Sequence, residues 1–335
     1  MLLKCIRIAL LLCLAGGLLT AFAAKPEKPD VTIAVGGKSS LYYLPMALAD
    51  RLGYFKAEGL NVEIADFAGG SKALQAMLGG SADVTAGGFD HVIVLQARGQ
   101  KIQAFVLMLS VPAISLGVVK DKAATYHSPK DLKGMKIGVT APGSTTHMFV
   151  NRVLAMGGVA PDEVSIIGVG SGPTAVAAAR GGQIDALSNV EPAITMLERS
   201  GVLTVVAESV SEQGAKAVFG EKLPTGCLYT KQEFIQKNPN TVQALTNGIV
   251  RALKWLQQAT PEDVAKTVPK EYLLGEPDVY LAALKKSRPT YSLDGVFPLA
   301  GVQAFYEVLR SFDPAVKEAT GFNVQQTYDN RFVRR

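Results

Sequence analysis

The chain has 335 residues, 48% of them hydrophobic and 19% charged, with a net charge of +5. That is enough apolar material for more than one core, because domains run ~100–200 residues. The charge is too mild for a nucleic-acid binder, so no nucleic-acid partner is expected.

At the N-terminus, Lys4 and Arg7 precede an apolar stretch over 8–19 and a small-x-small site at Ala21-Phe22-Ala23. This pattern predicts a signal peptide over 1–24, cut after Ala23 or Ala24. The apolar stretch falls short of the ~20 residues a membrane-spanning helix requires. Its removal leaves Cys227 as the single cysteine and a net charge of +3, so no internal disulfide is available.

After a polar spacer, β-rich apolar runs at 31–35, 62–67, 84–87, 102–109 and 115–120 alternate with helical patterns. A second series follows at 136–140, 164–169, 186–189 and 203–207, with helical segments starting near Ser144, Gly172 and Pro192. Such alternation predicts an α/β fold with βα units around parallel sheets. The two series superpose at an offset of 102 residues, which sets Asp83 on Asp185, Gly70 on Gly172, Ala73 on Ala175 and Val62 on Val164. Two lobes built on one plan are expected.

Beyond Pro224 come a short strand at 226–230 and helices at 239–258, 261–268, 278–287 and 297–312. Leu245, Ile249, Leu253 and Leu256 form the apolar stripe of the first of these helices, where Trp255 is expected to pack.

In open α/β sheets, ligands sit beyond the carboxyl ends of the strands, on glycine-bearing loops that start helices. Here those loops present Ser39, Ser40, Gly70, Ser71, Phe89, Asp90 and His91 in the first series. The second series presents Ser144, Thr145, Thr146, His147, Ser171, Gly172, Asn189 and Glu191. Each hydroxyl either caps its helix or meets a ligand. Tyr42 and Tyr43 supply a candidate aromatic wall. Asp90 and Glu191 either favour their helix starts or contact an amine, and His91 and His147 either cap or donate. With three histidines and no close spacing, neither a metal site nor a cofactor is expected.

Four ordered stretches carry a resemblance: 53–62 (GYFKAEGLNV), 79–84 (GGSADV), 131–139 (DLKGMKIGV) and 182–186 (GQIDA). Together they resemble the periplasmic solute-binding proteins of the nitrate, sulfonate and taurine importers and the related binders of thiamine-pyrimidine precursors. The resemblance implies the two-lobed, type II periplasmic binding protein fold, its ligand cleft between lobes joined by two crossover strands at about 116–120 and 225–229. It implies one lobe from 31–117 plus 226–335 and the other from 118–225. The function implied is capture of a small molecule by a monomer in the periplasm for the permease subunits of an ABC importer. A periplasmic lyase or dehydratase using Asp90 or Glu191, and a binder serving a membrane sensor, are the alternatives.

Overall fold

A computed structural model describes residues 25–333; the expected signal peptide lies outside the described residues. The described residues form ten strands: β1 (Asp30–Val35), β2 (Asn61–Asp66), β3 (Val84–Gly88), β4 (Ile102–Leu107), β5 (Ser115–Val119), β6 (Lys136–Val139), β7 (Ser165–Gly168), β8 (Ala186–Asn189), β9 (Leu203–Glu208) and β10 (Gly226–Lys231). They make two five-stranded sheets, ordered β2-β1-β3-β10-β4 and β7-β6-β8-β5-β9.

The two orders are the same arrangement, with one strand exchanged. In each sheet the first three strands pair in parallel, with Val31 opposite Val62 in one and Ile137 opposite Ile166 in the other. The fourth position is taken by the strand that has crossed over: β5 in the second sheet and β10 in the first. Each runs antiparallel to both neighbours. The sheets are therefore mixed, a correction to the parallel expectation. A strand that arrives from the other lobe needs no βα return on its own sheet, so its direction is set by the connection and not by its side chains.

The internal repeat has a physical counterpart at its aspartates. Asp83 Oδ2 accepts the Thr32 amide of β1 at 3.0 Å, and Asp185 Oδ2 accepts the Lys136 amide of β6 at 2.8 Å. Each carboxylate thus ties the strand second in its sheet's order to the turn before the third.

The stretches between β4 and β5, and between β9 and β10, carry the chain across. Met108, Leu109 and Ile114 are fully buried in the first of these, so that connection between the lobes is apolar. The long helix Pro239–Gln258 buries the stripe Leu245, Ile249, Leu253 and Leu256, each worth roughly 1.5–3 kcal/mol on burial. Trp255 packs at the margin of the same core. The helix Pro277–Ser287 straddles both units: Tyr280 and Leu284 join the main core, and Val279 joins the cluster around Ala175, Ile184 and Leu187. Among the described residues, no helix is long and apolar enough to cross a membrane.

Candidate functional site

The carboxyl ends of the strands in both sheets face one another across a closed cleft. A cavity of about 20 Å³ lies there, lined by Tyr42, Tyr43, Gly70, Ser144, Thr145 and Thr146. Gly36, Ile114, Thr140 and Val190 complete its wall. Six of the residues singled out from the sequence therefore meet at one point, contributed by both sheets' loops.

The first turns of two helices, Gly70–Gly79 and Thr145–Gly157, border this cavity. Neither has a side-chain cap, and nor do the helices Phe89–Ala97 and Pro173–Arg180. The capping role left open for Ser144 is thus not the one it plays. Ser144 Oγ instead accepts the Ser71 amide at 3.1 Å and donates to Ser71 Oγ at 3.3 Å, while Ser71 Oγ donates to the Pro142 carbonyl at 2.9 Å. Helix starts carry partial positive charge and favour negative groups near them.

Tyr42 and Tyr43 stand edge to face, 5.1 Å between ring centres. Burial pushes both phenols well above their usual range, so both are neutral donors at any ordinary pH. The Tyr42 hydroxyl and Ser40 Oγ are buried and have no hydrogen-bond partner among the described residues. Buried polar atoms are nearly always paired in a finished structure, and of these two Tyr42 belongs to a residue that lines the cavity, which makes its hydroxyl a candidate contact for a polar ligand atom.

Further hydrogen bonds clasp the lobes around the cavity. Thr145 Oγ1 donates to Asp90 Oδ1 at 2.8 Å, and burial raises the pKa of this carboxyl. The Leu41 amide donates to the Glu191 carbonyl at 2.9 Å, and within Leu41's own lobe Tyr291 Oη donates to the Leu41 carbonyl at 2.8 Å. Glu191, only 2% exposed, accepts the Thr195 amide and lies 3.1 Å from Lys286 Nζ. Lys286 also donates to Glu198 Oε2 at 3.2 Å. Burial pulls the Lys286 ammonium down, but Glu191 and Glu198 outweigh it, and its pKa is raised above the ordinary 10.5.

The remaining sequence candidates occupy the surroundings. Ser39 and Gly172 approach each other at the rim, where a side chain at Gly172 would lie 3.5 Å from Ser39 Oγ; Ser171 faces Gly37 beside them. His91 Nδ1 is 2.8 Å from Tyr229 Oη, and His147 Nδ1 accepts the Gly143 amide at 3.0 Å. The Asn189 side chain is held by the Gly170 carbonyl and the Val190 amide. Phe89 points away from the cavity into the core, packed between Phe297 and Phe305.

A two-lobed α/β arrangement of this kind, with helix starts and hydroxyls converging on a cavity between two mixed sheets, is the periplasmic binding protein fold. The profile of the family described as NMT1/THI5 like matches residues 40–263, and the chain belongs to that family. A protein of Bordetella bronchiseptica RB50 of solved structure is 50% identical, covers 93% of this chain and 98% of its own, and superposes with a TM-score of 0.90. The taurine-binding periplasmic protein of Escherichia coli K12 is 27% identical over 70% of this chain and 72% of its own length. The alkanesulfonate-binding protein SsuA of Xanthomonas axonopodis pv. citri is 18% identical, covers 91% and 99% of the two chains, and shares the fold at a TM-score of 0.69. Enzymes occur among the relatives too: the 4-amino-5-hydroxymethyl-2-methylpyrimidine phosphate synthase THI5 of Saccharomyces cerevisiae is 25% identical over 68% of this chain and 66% of its own length.

Proposed function

We propose that this protein is the periplasmic substrate-binding component of an ABC-type importer. It captures one small solute, of the sulfonate, nitrate or taurine kind or a pyrimidine or aromatic acid, and presents the closed form to membrane permease subunits. Residues 31–117 with 226–335 act as one lobe and 118–225 as the other. The observation that carries this reading is the cavity itself: lined from both sheets, and bordered by two helix starts and the unpartnered Tyr42 hydroxyl. A solute that touches both walls binds the closed state better than the open one, and that differential affinity shifts the population towards closure.

Binding rather than turnover fits the state of the two cleft carboxylates. Asp90 is engaged by Thr145, and Glu191 by Thr195 and Lys286, so neither projects freely as an acid or base. The polar walls also hold no arginine or lysine among the lining residues, which suits neutral donors and helix starts to a compact head group.

A thermal-shift screen of residues 25–335 against taurine, other sulfonates, nitrate, pyrimidines and aromatic acids tests the proposal. One saturable hit is expected to raise the melting temperature by a few degrees at about 100 times its Kd. Steady consumption of the hit would instead make the protein an enzyme, and an unchanged melting temperature across the panel would count against capture of these solute classes. Ser144→Ala removes both hydrogen bonds between Ser144 and Ser71, together worth about 2 kcal/mol, and is expected to weaken the hit about thirtyfold in a calorimetric titration.

A further inference from the structure

The last strand of each sheet carries one extra residue where it meets its neighbour. In β4 that residue is Phe105, between Ala104 opposite Tyr229 and Val106 opposite Leu228. In β9 it is Val206, between Val205 opposite Gly117 and Ala207 opposite Leu116. Ala104 and Val205 therefore hold the same position in the two sheets. On the outer side of β4, the Ala104 amide donates to the Thr327 carbonyl at 3.0 Å and the Ala104 carbonyl accepts the Asp329 amide at 2.8 Å. Tyr328 is thereby set opposite Ala104 in parallel register, and its ring stacks on Phe297 with 5.5 Å between centres. The chain covers the edge of its first sheet with its own tail.

At β9 nothing takes that place. Among the described residues, no backbone hydrogen bond joins 203–208 to anything but β5, so the Val205 amide and carbonyl, which match those of Ala104, face outward unpaired. The strand, LTVVAE, also has neither the lysine nor the proline with which proteins commonly blunt an exposed edge. Its bulge is no obstacle to pairing, since β4 has the same bulge and is covered.

A groove of about 650 Å³ runs beside this edge, between the turn at 126–129 and the helices Thr145–Gly157 and Glu212–Phe219. Its walls are mixed, with Val153, Met156 and Ala217 beside His127 and Gln213. Met156 is 47% exposed there. Glu208, the carboxylate in the lining, is already held by the amides of Val210 and Ser211. All the lining residues fall between 126 and 218, and none of them lines the cleft cavity.

We propose that the outer edge of β9 is a docking site for an extended segment of a partner protein, which adds as a parallel strand at Val205 and lays one bulky apolar side chain in the groove. The matching edge identifies the occupant: at Ala104 the fold itself uses an extended, parallel segment with an aromatic residue at the paired position. In strand addition of this kind, main-chain hydrogen bonds supply affinity and a side-chain pocket supplies selectivity. Because the site is built on one side of the cleft alone, docking there does not depend on solute capture.

The test is fluorescence anisotropy of the parent chain with a labelled peptide of residues 321–331, the segment that covers β4, and with its Tyr328→Ala form. Amide hydrogen exchange reports where the peptide lands. The parent is expected to bind the first peptide about tenfold tighter than the second, and exchange at 204–206 is expected to slow in the complex. Val205→Pro removes the outward amide at an edge position, where proline is tolerated, and is expected to weaken binding about fivefold at an unchanged melting temperature. Met156→Lys changes an exposed side chain and is expected to weaken binding about threefold; it carries the test should Val205→Pro fail to fold. Absence of binding, or binding that the folded variants leave unchanged, would overturn the proposal. So would slowed exchange at 102–107 instead, which would mean that the peptide had displaced the tail from β4. A concentration-dependent dimer that Met156→Lys abolishes would assign the edge to a second copy of the chain and overturn it as well.

Discussion

Gly69→Val is expected to weaken solute capture about 100-fold while leaving the unliganded protein as stable as its parent. Gly69 has φ 169° and ψ 166°, extended backbone that any residue adopts, so the substitution introduces no backbone strain. The cost lies across the cleft. A Cβ at this position would stand 2.8 Å from the Ala141 side chain and 2.9 Å from both the Ala141 nitrogen and the Thr140 carbonyl carbon. These are the three nearest atoms, and all belong to the loop after β6, on the other sheet. Two of them are backbone atoms, which cannot turn aside. Overpacking of this kind costs about 3 kcal/mol, borne by the closed state alone, hence the factor of about 100 in affinity. Calorimetric titration reads the affinity and a thermal melt without solute reads the fold. Normal capture by Gly69→Val would mean that the solute is held without this degree of closure.

Lys286→Met is expected to destabilise the folded protein by about 3 kcal/mol, because removing one partner of a buried ion pair leaves the other charge uncompensated. Glu191 is that charge, at 2% exposure, while the Lys286 side chain is 33% exposed, which sets the figure at the low end of the range. Lys286→Arg keeps the charge and should restore most of the loss. The pH dependence has a definite sign. The folded-state pKa of Lys286 is raised above 10.5, so its stabilisation is complete at neutral pH and is lost only as pH rises beyond about 10.5. The difference in melting temperature between the parent and Lys286→Met should therefore be constant from pH 6 to 9 and shrink in strong alkali. A difference that vanishes already near pH 7 would rule out Lys286 as the source.

The repeat was legible because the same physical device recurs in both lobes. Asp83 and Asp185 anchor the matching strands β1 and β6, and the glycines around them close the same helix turns. The loops that border the cavity were legible for a similar reason, since glycine with hydroxyls after a strand marks a helix start at the sheet's carboxyl edge. Gly36, Thr140 and Val190 lay within or beside those loops, but carry no chemistry that singles them out; it is backbone proximity that places them at the cavity. Phe89 shows the limit of reading by loop. It sits between glycine and an acidic residue at a helix start, yet its apolar ring turns inward to Phe297 and Phe305. The Lys286–Glu191 pair was illegible, since the two residues are joined only by the way the tail helix Pro277–Ser287 crosses between cores. The antiparallel direction of β5 and β10 was likewise hidden, because an apolar run reads the same in either direction.

The exchanged strands also fix the order in which a growing chain can finish its sheets. The second sheet draws all its strands from one continuous stretch, Ser115 to Glu208, and can close as soon as that stretch is available. The first cannot, since β10 lies inside it between β3 and β4, and until residue 231 arrives those two strands have nothing to pair with on their facing sides. Two unprotected strand edges persist until β10 is made, and such edges invite pairing with other chains. The lobe that begins first is completed last.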